Sequence, residues 1–375
     1  MDQYLGQSIP KLGFGLMRLP TKDGAIDIPQ TCEMVDMFMK KGFVYFDTAY
    51  GYGNGASEEA AKKALVDRYP REKFMLATKL PAWLGAKTAE EAKAMFETSL
   101  KRTGAGYFDF YLLHNLGGDR TKVFDDFGIW EFLQEKKQAG LIRHLGFSFH
   151  DKAEVLDEIL IAHPEMEFVQ LQINYVDWES ESVESRKCYE VARKHGKPVI
   201  IMEPVKGGNL ATPPQHIEQI MKNHAPDKSC SSWALRFAAS LEGLVCVLSG
   251  MSNVEQMADN LATMENFQPL TEDEHAVLDE VCAAFKAIPT IPCTACAYCV
   301  KNCPAQVAIP AAFQAYNKYL TYNSLASARS GYNWATSKPD ANKAGACIGC
   351  GQCEEVCPQH ISIREELKKV AVTLD

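Results

Sequence analysis

Eight of the 13 cysteines in this 375-residue chain fall in two runs, "CTACAYCVKNCP" from Cys293 and "CIGCGQCEEVCP" from Cys347. Each run spells C-x2-C-x2-C-x3-C-P. That spacing wraps three thiolates around one [4Fe–4S] cube and sends the fourth to a neighbouring cube. The ligand sets expected are Cys293, Cys296, Cys299 and Cys357 for one cluster, and Cys347, Cys350, Cys353 and Cys303 for the other. Ala295, Ala297, Gly349 and Gly351 are small enough to let backbone N–H groups approach cluster sulfurs, and a proline after each fourth cysteine turns the chain away. The competing reading is zinc, which more often takes two C-x2-C knuckles across a loop than a four-cysteine run. Two such runs favour clusters that pass one electron at a time.

A second group of reactive side chains lies far upstream. Asp47 ends the apolar run "FVYFD", Lys79 sits in "FMLATKL", and His114 ends "FDFYLLH"; Tyr52 follows Asp47 in "DTAYGYG". These types together suit carbonyl reduction. A phenol with a pKa of about 10 is a poor proton donor. A neighbouring ammonium stabilises the phenolate, and a carboxylate holds the ammonium in place. An imidazole hydrogen-bonds the substrate oxygen and orients it. Taken singly, Lys79 and Asp47 read as a structural ion pair and His114 as a core histidine; four such residues at consecutive strand ends argue for function.

The elements that must position these groups are strand–helix repeats. Near-continuous apolar runs occur at 11–17, 43–47, 74–80, 108–114, 141–148, 168–174, 198–203 and 243–249, as expected of parallel strands buried on both faces. Helical segments separate them. Asp27 with Pro29 and Gly42 brackets the first helix, and Thr88/Glu91, Asp151/Glu154 and Thr271/Glu274 have capping-box spacing. The stretch from Asn209 to Ser229 reads as a long, proline-containing loop. Eight alternations predict a (β/α)8 TIM barrel. A doubly wound sheet is the alternative, weakened because no G-x-G-x-x-G follows the first strand. "PTIP" at 289–292 breaks the chain into a barrel, 1–288, and a small, mostly helical iron–sulfur domain, 289–375.

With those residues in place, the segment from residue 11 to about 264 resembles the aldo/keto reductase family, through "DTAYGYG" and "LLH". The resemblance implies Tyr52 as general acid, Lys79 as modifier of its pKa, Asp47 as the partner of Lys79, and His114 as carbonyl orienter. It implies a nicotinamide carboxamide site at Ser148 and Gln170, although Phe149 stands where the family has asparagine. It places the cofactor pyrophosphate at backbone N–H groups of Lys206, Gly207 and Gly208, and the adenosine side at Gly250, Ser252, Gln256 and Asn260. No Lys or Arg occurs from Gly250 to Asn260, so the choice between NADPH and NADH stays open. The tail resembles the two-cluster ferredoxins of bacteria, with a helix-like insert from Ala305 to Ala346 that points to an α-helical, ferredoxin-like form.

Hydride and single-electron chemistry do not exchange directly, and a flavin is the usual intermediary. FMN in the barrel is therefore an alternative cofactor to NAD(P)H. Three readings follow. The first is an oxidoreductase acting on a small-molecule carbonyl, with two clusters appended. The second is a ferredoxin-coupled reductase that exchanges electrons with a redox partner protein. The third is a nucleotide-binding redox sensor or partner subunit. A net charge of −9 argues against nucleic acid and anionic membranes, and "ALRFAASLEGLVCVL" is interrupted by Arg236 and Glu242. A cytoplasmic location is expected. The remaining cysteines (32, 188, 230, 246 and 282) read as small buried hydrophobes.

Overall fold

The computed structural model describes residue 5 and residues 8–301 and 303–375. Its strands are β1 (Leu12–Gly15), β2 (Thr21–Lys22), β3 (Ala25–Ile26), β4 (Tyr45–Asp47), β5 (Met75–Leu80), β6 (Phe108–Leu116), β7 (Ile142–Phe149), β8 (Phe168–Gln172), β9 (Val199–Met202) and β10 (Leu244–Ser249). All but β2 and β3 close into a parallel barrel in the order β1-β10-β9-β8-β7-β6-β5-β4. The barrel expected from the apolar runs is therefore the observed one. β2 and β3 form a separate hairpin, turned by Asp23 and Gly24 at φ 53° and 80°. Asp-Gly in that conformation matches the twist of paired strands.

Barrel closure depends on large and small residues alternating across facing strands. Tyr45, Phe110, Phe168, Ile200 and Val245 share one buried cluster. Gly146 makes room for it: a Cβ there would lie 2.4 Å from the Phe168 carbonyl oxygen and 2.8 Å from its ring. The first helix, Ile28–Lys40, is capped by Asp27, whose carboxylate accepts the Gln30 N–H at 3.1 Å. It buries Met34, Val35 and Phe38.

Two local expectations fail. Asp151 does not cap a helix: the helix starts at Ala153 after an extended Lys152, and the Asp151 carboxylate instead accepts the Lys152 N–H. The stretch expected to be a loop contains the helix Gln215–His224, which starts after Pro214, where the missing N–H is tolerated. Thr271 and Glu274, by contrast, form both bonds of a capping box.

The chain divides into two compact units, Met1–Ala211 with Lys228–His275, and Thr212–Asp227 with Ala276–Asp375. Beyond the first cysteine run, the second unit is built on the helices Ile309–Tyr322, Leu325–Ala335 and Ile363–Leu374. They bury Phe313, Tyr332, Leu367 and Val370. Among the described residues, no helix is long and apolar enough to cross a membrane. Cys188, Cys230 and Cys246 are buried, whereas Cys32 and Cys282 are partly exposed.

Candidate active site and cluster sites

Asp47, Lys79 and His114 leave the barrel on the neighbouring strands β4, β5 and β6. Parallel register keeps them at one end, with Asp47 opposite Ala77 and Lys79 opposite Leu112. Tyr52 returns to the same place on a tight turn in which Gly53, Asn54 and Gly55 all have positive φ. Arg102 fastens that turn. Its guanidinium donates to the Tyr50 carbonyl at 3.1 Å and pairs with the fully buried Glu58 at 3.3 Å. A Cβ on Gly55 would lie 2.5 Å from the guanidinium carbon, so this position demands glycine.

The Lys79 ammonium is the hub. It donates to Asp47 Oδ1 at 2.6 Å, to the Thr48 carbonyl at 2.8 Å and to the Tyr52 hydroxyl at 3.3 Å. Burial alone would lower the Lys79 pKa; the Asp47 carboxylate and the Tyr52 hydroxyl outweigh it, so the amine stays charged. Burial raises Asp47, and Lys79 holds that rise in check. For Tyr52 the balance differs from the expectation. Burial is the largest influence and leaves the phenol above its ordinary value, while Lys79 pulls the other way. Tyr52 therefore carries its proton at neutral pH. His114 meets Tyr52 edge-on with ring centroids 5.9 Å apart, and burial, then the charge of Lys79, hold it well below the usual histidine range. It is a neutral imidazole whose Nδ1 has no protein partner. Trp83 fixes its backbone, donating to the His114 carbonyl at 2.7 Å.

Ser148 and Gln170 are register partners on β7 and β8. The Ser148 hydroxyl accepts the Asn115 N–H at 2.8 Å and keeps its own proton for donation. Gln170 Oε1 is buried without a protein partner. A buried orphan acceptor beside a hydroxyl donor fits a primary carboxamide, which offers an N–H and a carbonyl oxygen. Phe149 is buried.

Beyond them opens a cavity of about 340 Å³ lined by Gly207, Gly208, Gly250, Ser252, Gln256 and Asn260, together with Arg18 and Glu203. Gln256 accepts the Ser252 N–H at 2.8 Å, and Asn260 donates to the Ser249 hydroxyl at 2.6 Å. The expectation for the glycine loop needs correction. The N–H groups of Lys206 and Gly208 are engaged inside the turn, by the Glu203 and Val205 carbonyls. The Lys206 ammonium points to Asp177, at 2.5 and 2.7 Å from its two oxygens. Arg18 and Glu203 escaped the sequence reading. The signal for both was position: each lies just beyond a barrel strand, at the end where reactive residues gather. A smaller cavity, lined by His150, Lys152, Ser182 and Cys188 among others, contains none of the expected site residues.

In the second unit the eight cysteines sort into two hollows. Cys293, Cys296, Cys299 and Cys357 line one; Cys303, Cys347, Cys350 and Cys353 line the other; Ile309 borders both. The insert brings the runs together through a parallel bridge between Val307 and Asn342, while Asn317 clamps the backbone of Ile291 with two bonds of 2.8 Å. Positive φ at Ala295, Ala297, Gly349 and Gly351 curls each run around its hollow. The Cys303 sulfur already accepts the Val307 N–H. Burial and the neighbouring thiols push Cys299 up to about 11, and burial followed by the charge of Glu354 does the same for Cys353. Such thiols ionise when cationic iron arrives and displaces their protons. Four thiols line each hollow, which is the donor set of a [4Fe–4S] cube.

Two family models match the chain in succession. The model of the aldo/keto reductase family matches residues 11–283, and that of a 4Fe-4S dicluster domain matches 292–361. An aldo-keto reductase of Mycobacterium sp. (strain MCS) is 29% identical over 275 residues, covering 73% of this chain and 87% of the relative. The uncharacterized oxidoreductase YqkF of Bacillus subtilis is 26% identical over 296 residues, covering 71% and 90%. Among solved structures, the holo form of the aldo-keto reductase AKR11C1 from Bacillus halodurans superposes with a TM-score of 0.60 at 23% identity, over 74% of this chain and 93% of its own. A Klebsiella pneumoniae aldo-keto reductase in complex with NADPH gives 0.59 at 20%, over 73% and 91%. At those identities the structures speak for the fold, and the family model carries the assignment: this chain belongs to the aldo/keto reductase family of oxidoreductases and carries a 4Fe-4S dicluster domain.

Proposed function

We propose that the barrel reduces the carbonyl of a small molecule with NAD(P)H. The observation that carries this reading is the buried Lys79 ammonium bonded at once to Asp47 and to Tyr52. The nicotinamide supplies the hydride when bound, with Ser148 and Gln170 holding its carboxamide and the cavity at Gly207, Gly208, Gly250, Ser252, Gln256 and Asn260 taking the rest of the dinucleotide. NADPH in the Klebsiella structure supports the nicotinamide over FMN, for which the relatives offer no support.

The chain's own residues then handle the proton. His114, being neutral, donates a hydrogen bond to the carbonyl oxygen without delivering a charge. Tyr52 holds a proton at its hydroxyl and gives it to that oxygen as alkoxide character grows. Lys79 stabilises the phenolate left behind, and Asp47 keeps the ammonium in place and charged. Excluding water from this group strengthens each interaction. In the second unit, Cys293, Cys296, Cys299 and Cys357 would hold one [4Fe–4S] cluster, and Cys303, Cys347, Cys350 and Cys353 the other. Each cluster supplies one-electron transfer when bound.

Two measurements on anaerobically purified protein test this. Tyr52→Phe is expected to abolish carbonyl reduction while nucleotide binding, read by fluorescence titration, persists; retained turnover would place the proton donor elsewhere. NAD(P)H added without a carbonyl is expected to leave the cluster absorbance unchanged. Bleaching would favour the electron-relay reading.

A further inference from the structure

The two cysteine runs open a repeat that continues past them. The offset that carries Cys293 to Cys347 also carries Ile309 to Ile363, and a helix starts at each. It carries Pro310 to Arg364 and Phe313 to Leu367 as well. These residues occupy equivalent places: Pro310 and Phe313 line the hollow of Cys293, Cys296, Cys299 and Cys357, and Arg364 and Leu367 line that of Cys303, Cys347, Cys350 and Cys353. The curled backbone repeats too, with positive φ at Ala295 and Ala297 and again at Gly349 and Gly351. Each hollow keeps one exposed cysteine, Cys296 or Cys350. The repeat fails in charge. Among the described residues lining the first hollow, none but the thiols ionises, whereas the second has a guanidinium where the first has a proline ring.

Arg364 stands in an unfavourable place. It lies in the first turn of the helix Ile363–Leu374, where the helix dipole opposes a cation. Glu354 offsets this: its carboxylate accepts the Arg364 backbone N–H at 2.8 Å and, from the side chain, Nε at 3.0 Å and Nη2 at 2.8 Å. The pair is oriented. The guanidinium faces the second run, its carbon 3.6 Å from where a Gly351 Cβ would be and its Nη1 3.5 Å from the Gly349 carbonyl oxygen. Glu354 stands behind it, outside the lining of the hollow. Glu355, and Lys301 at the equivalent place after the first run, are exposed and line neither hollow, so water screens them.

We propose that Arg364 makes the two clusters unequal: the one held by Cys303, Cys347, Cys350 and Cys353 takes an electron more readily, and an electron delivered to the other settles on it. This rests on the two-cluster reading given above. A reduced cube carries one more negative charge than an oxidised one, and a nearby cation stabilises the more negative state. In the transfer one electron leaves the cluster of the Cys293 run, which is oxidised, and reduces that of the Cys347 run; no bond forms or breaks and no proton moves. The Arg364 side chain is 48% exposed, so solvent damps its field. Screening limits the expected effect to about five- to tenfold in the electron-sharing equilibrium, about 40–60 mV for a one-electron couple.

The test is potentiometry followed by electron paramagnetic resonance on the full-length, anaerobically purified protein, with iron counted in every sample, for the wild type, Arg364→Met, Arg364→Lys and Glu354→Gln. A wild type with about eight irons per chain is expected to show two distinct potentials. Arg364→Met is expected to lower the upper one by the amount given and to leave the lower one in place. Arg364→Lys is expected to restore most of the loss, and Glu354→Gln to raise the upper potential. Opposite signs at the two positions, with iron retained, are the signature of charge; a merely structural pair would shed iron from either end. One shared potential in the wild type, a shift confined to the lower potential, equal shifts of both, or the same sign for Arg364→Met and Glu354→Gln overturns the proposal. Where Arg364→Met fails to hold its iron, Arg364→Lys and Glu354→Gln decide by the same criteria. A wild type that holds far fewer than eight irons after reconstitution sinks the underlying two-cluster reading, and this proposal with it.

Discussion

Replacing Lys79 with methionine keeps the length of the side chain and removes its charge. In the structure Lys79 is fully buried and the Asp47 side chain is 4% exposed, so no water stands ready to replace the lost ammonium. Asp47 Oδ2 already lacks a partner, and Oδ1 would lose its own. Leaving one buried charge without its counterpart costs about 3–5 kcal/mol. For a barrel of this size that corresponds to a fall in melting temperature of about 6–20 °C, followed by far-UV circular dichroism. The pH dependence has a defined sign. Burial raises the Asp47 pKa even with Lys79 present, and more without it. A group whose folded value is raised favours the fold below its unfolded value and disfavours it as pH climbs through the folded one. The gap between Lys79→Met and wild type therefore narrows on acidification, as Asp47 takes up a proton, and is fully open once the pH exceeds the raised folded value of Asp47. Adding Asp47→Asn to Lys79→Met removes the stranded charge, recovers most of the stability, and leaves carbonyl reduction abolished. A single variant as stable as wild type, or a double variant no better than the single, would refute the picture of a dry, charge-balanced pair.

Other outcomes follow from the same geometry. Cys303→Ser is expected to remove the cluster of the Cys347 run, taking iron from about eight to about four per chain, while the paramagnetic signal of the other reduced cluster survives; loss of the Cys293-run cluster instead would undo the crossed ligand sets. Gly146→Ala forces a methyl to within 2.4 Å of the Phe168 carbonyl and is expected to destabilise the barrel by at least about 1–3 kcal/mol in denaturant titrations. Unchanged stability would mean the β7–β8 contact has slack. Arg236 holds the Glu274 carboxyl, against the effect of burial, down to about 2 from an ordinary 4.5. That contribution is complete above about pH 4.5 and is lost as pH falls toward 2, so Glu274→Gln should cost about 1.5–3 kcal/mol at neutrality and progressively less through that window.

The barrel was legible because its strands are buried on both faces and write themselves as uninterrupted apolar runs such as "FDFYLLH". The group at Asp47, Tyr52, Lys79 and His114 was legible for a related reason: reactive side chains at strand ends stand out against those runs. Arg18 was not, because its place in the cavity comes from pairing between β1 and β10, more than 200 residues apart in sequence. The glycine loop misled for a local reason. Its composition suits amides facing a phosphate, but composition does not reveal that Lys206 and Gly208 satisfy their N–H groups within the turn. The Asp151 cap failed because the chain stays extended through Lys152, one residue later than the spacing implied.

An exchange of fourth cysteines between the two runs, as proposed, would make the pair of cubes a single unit of maturation. Neither ring of thiols would be complete until the polypeptide holding both runs had been synthesised and folded, so iron would not be loaded onto one half first and the other later. The dependence would persist in the finished protein. Cys296 and Cys350 are the exposed cysteines of their hollows, and an oxidant that dismantled either cube there would release a cysteine anchored beside the ligands of its neighbour. Repair would then have to rebuild the two centres together.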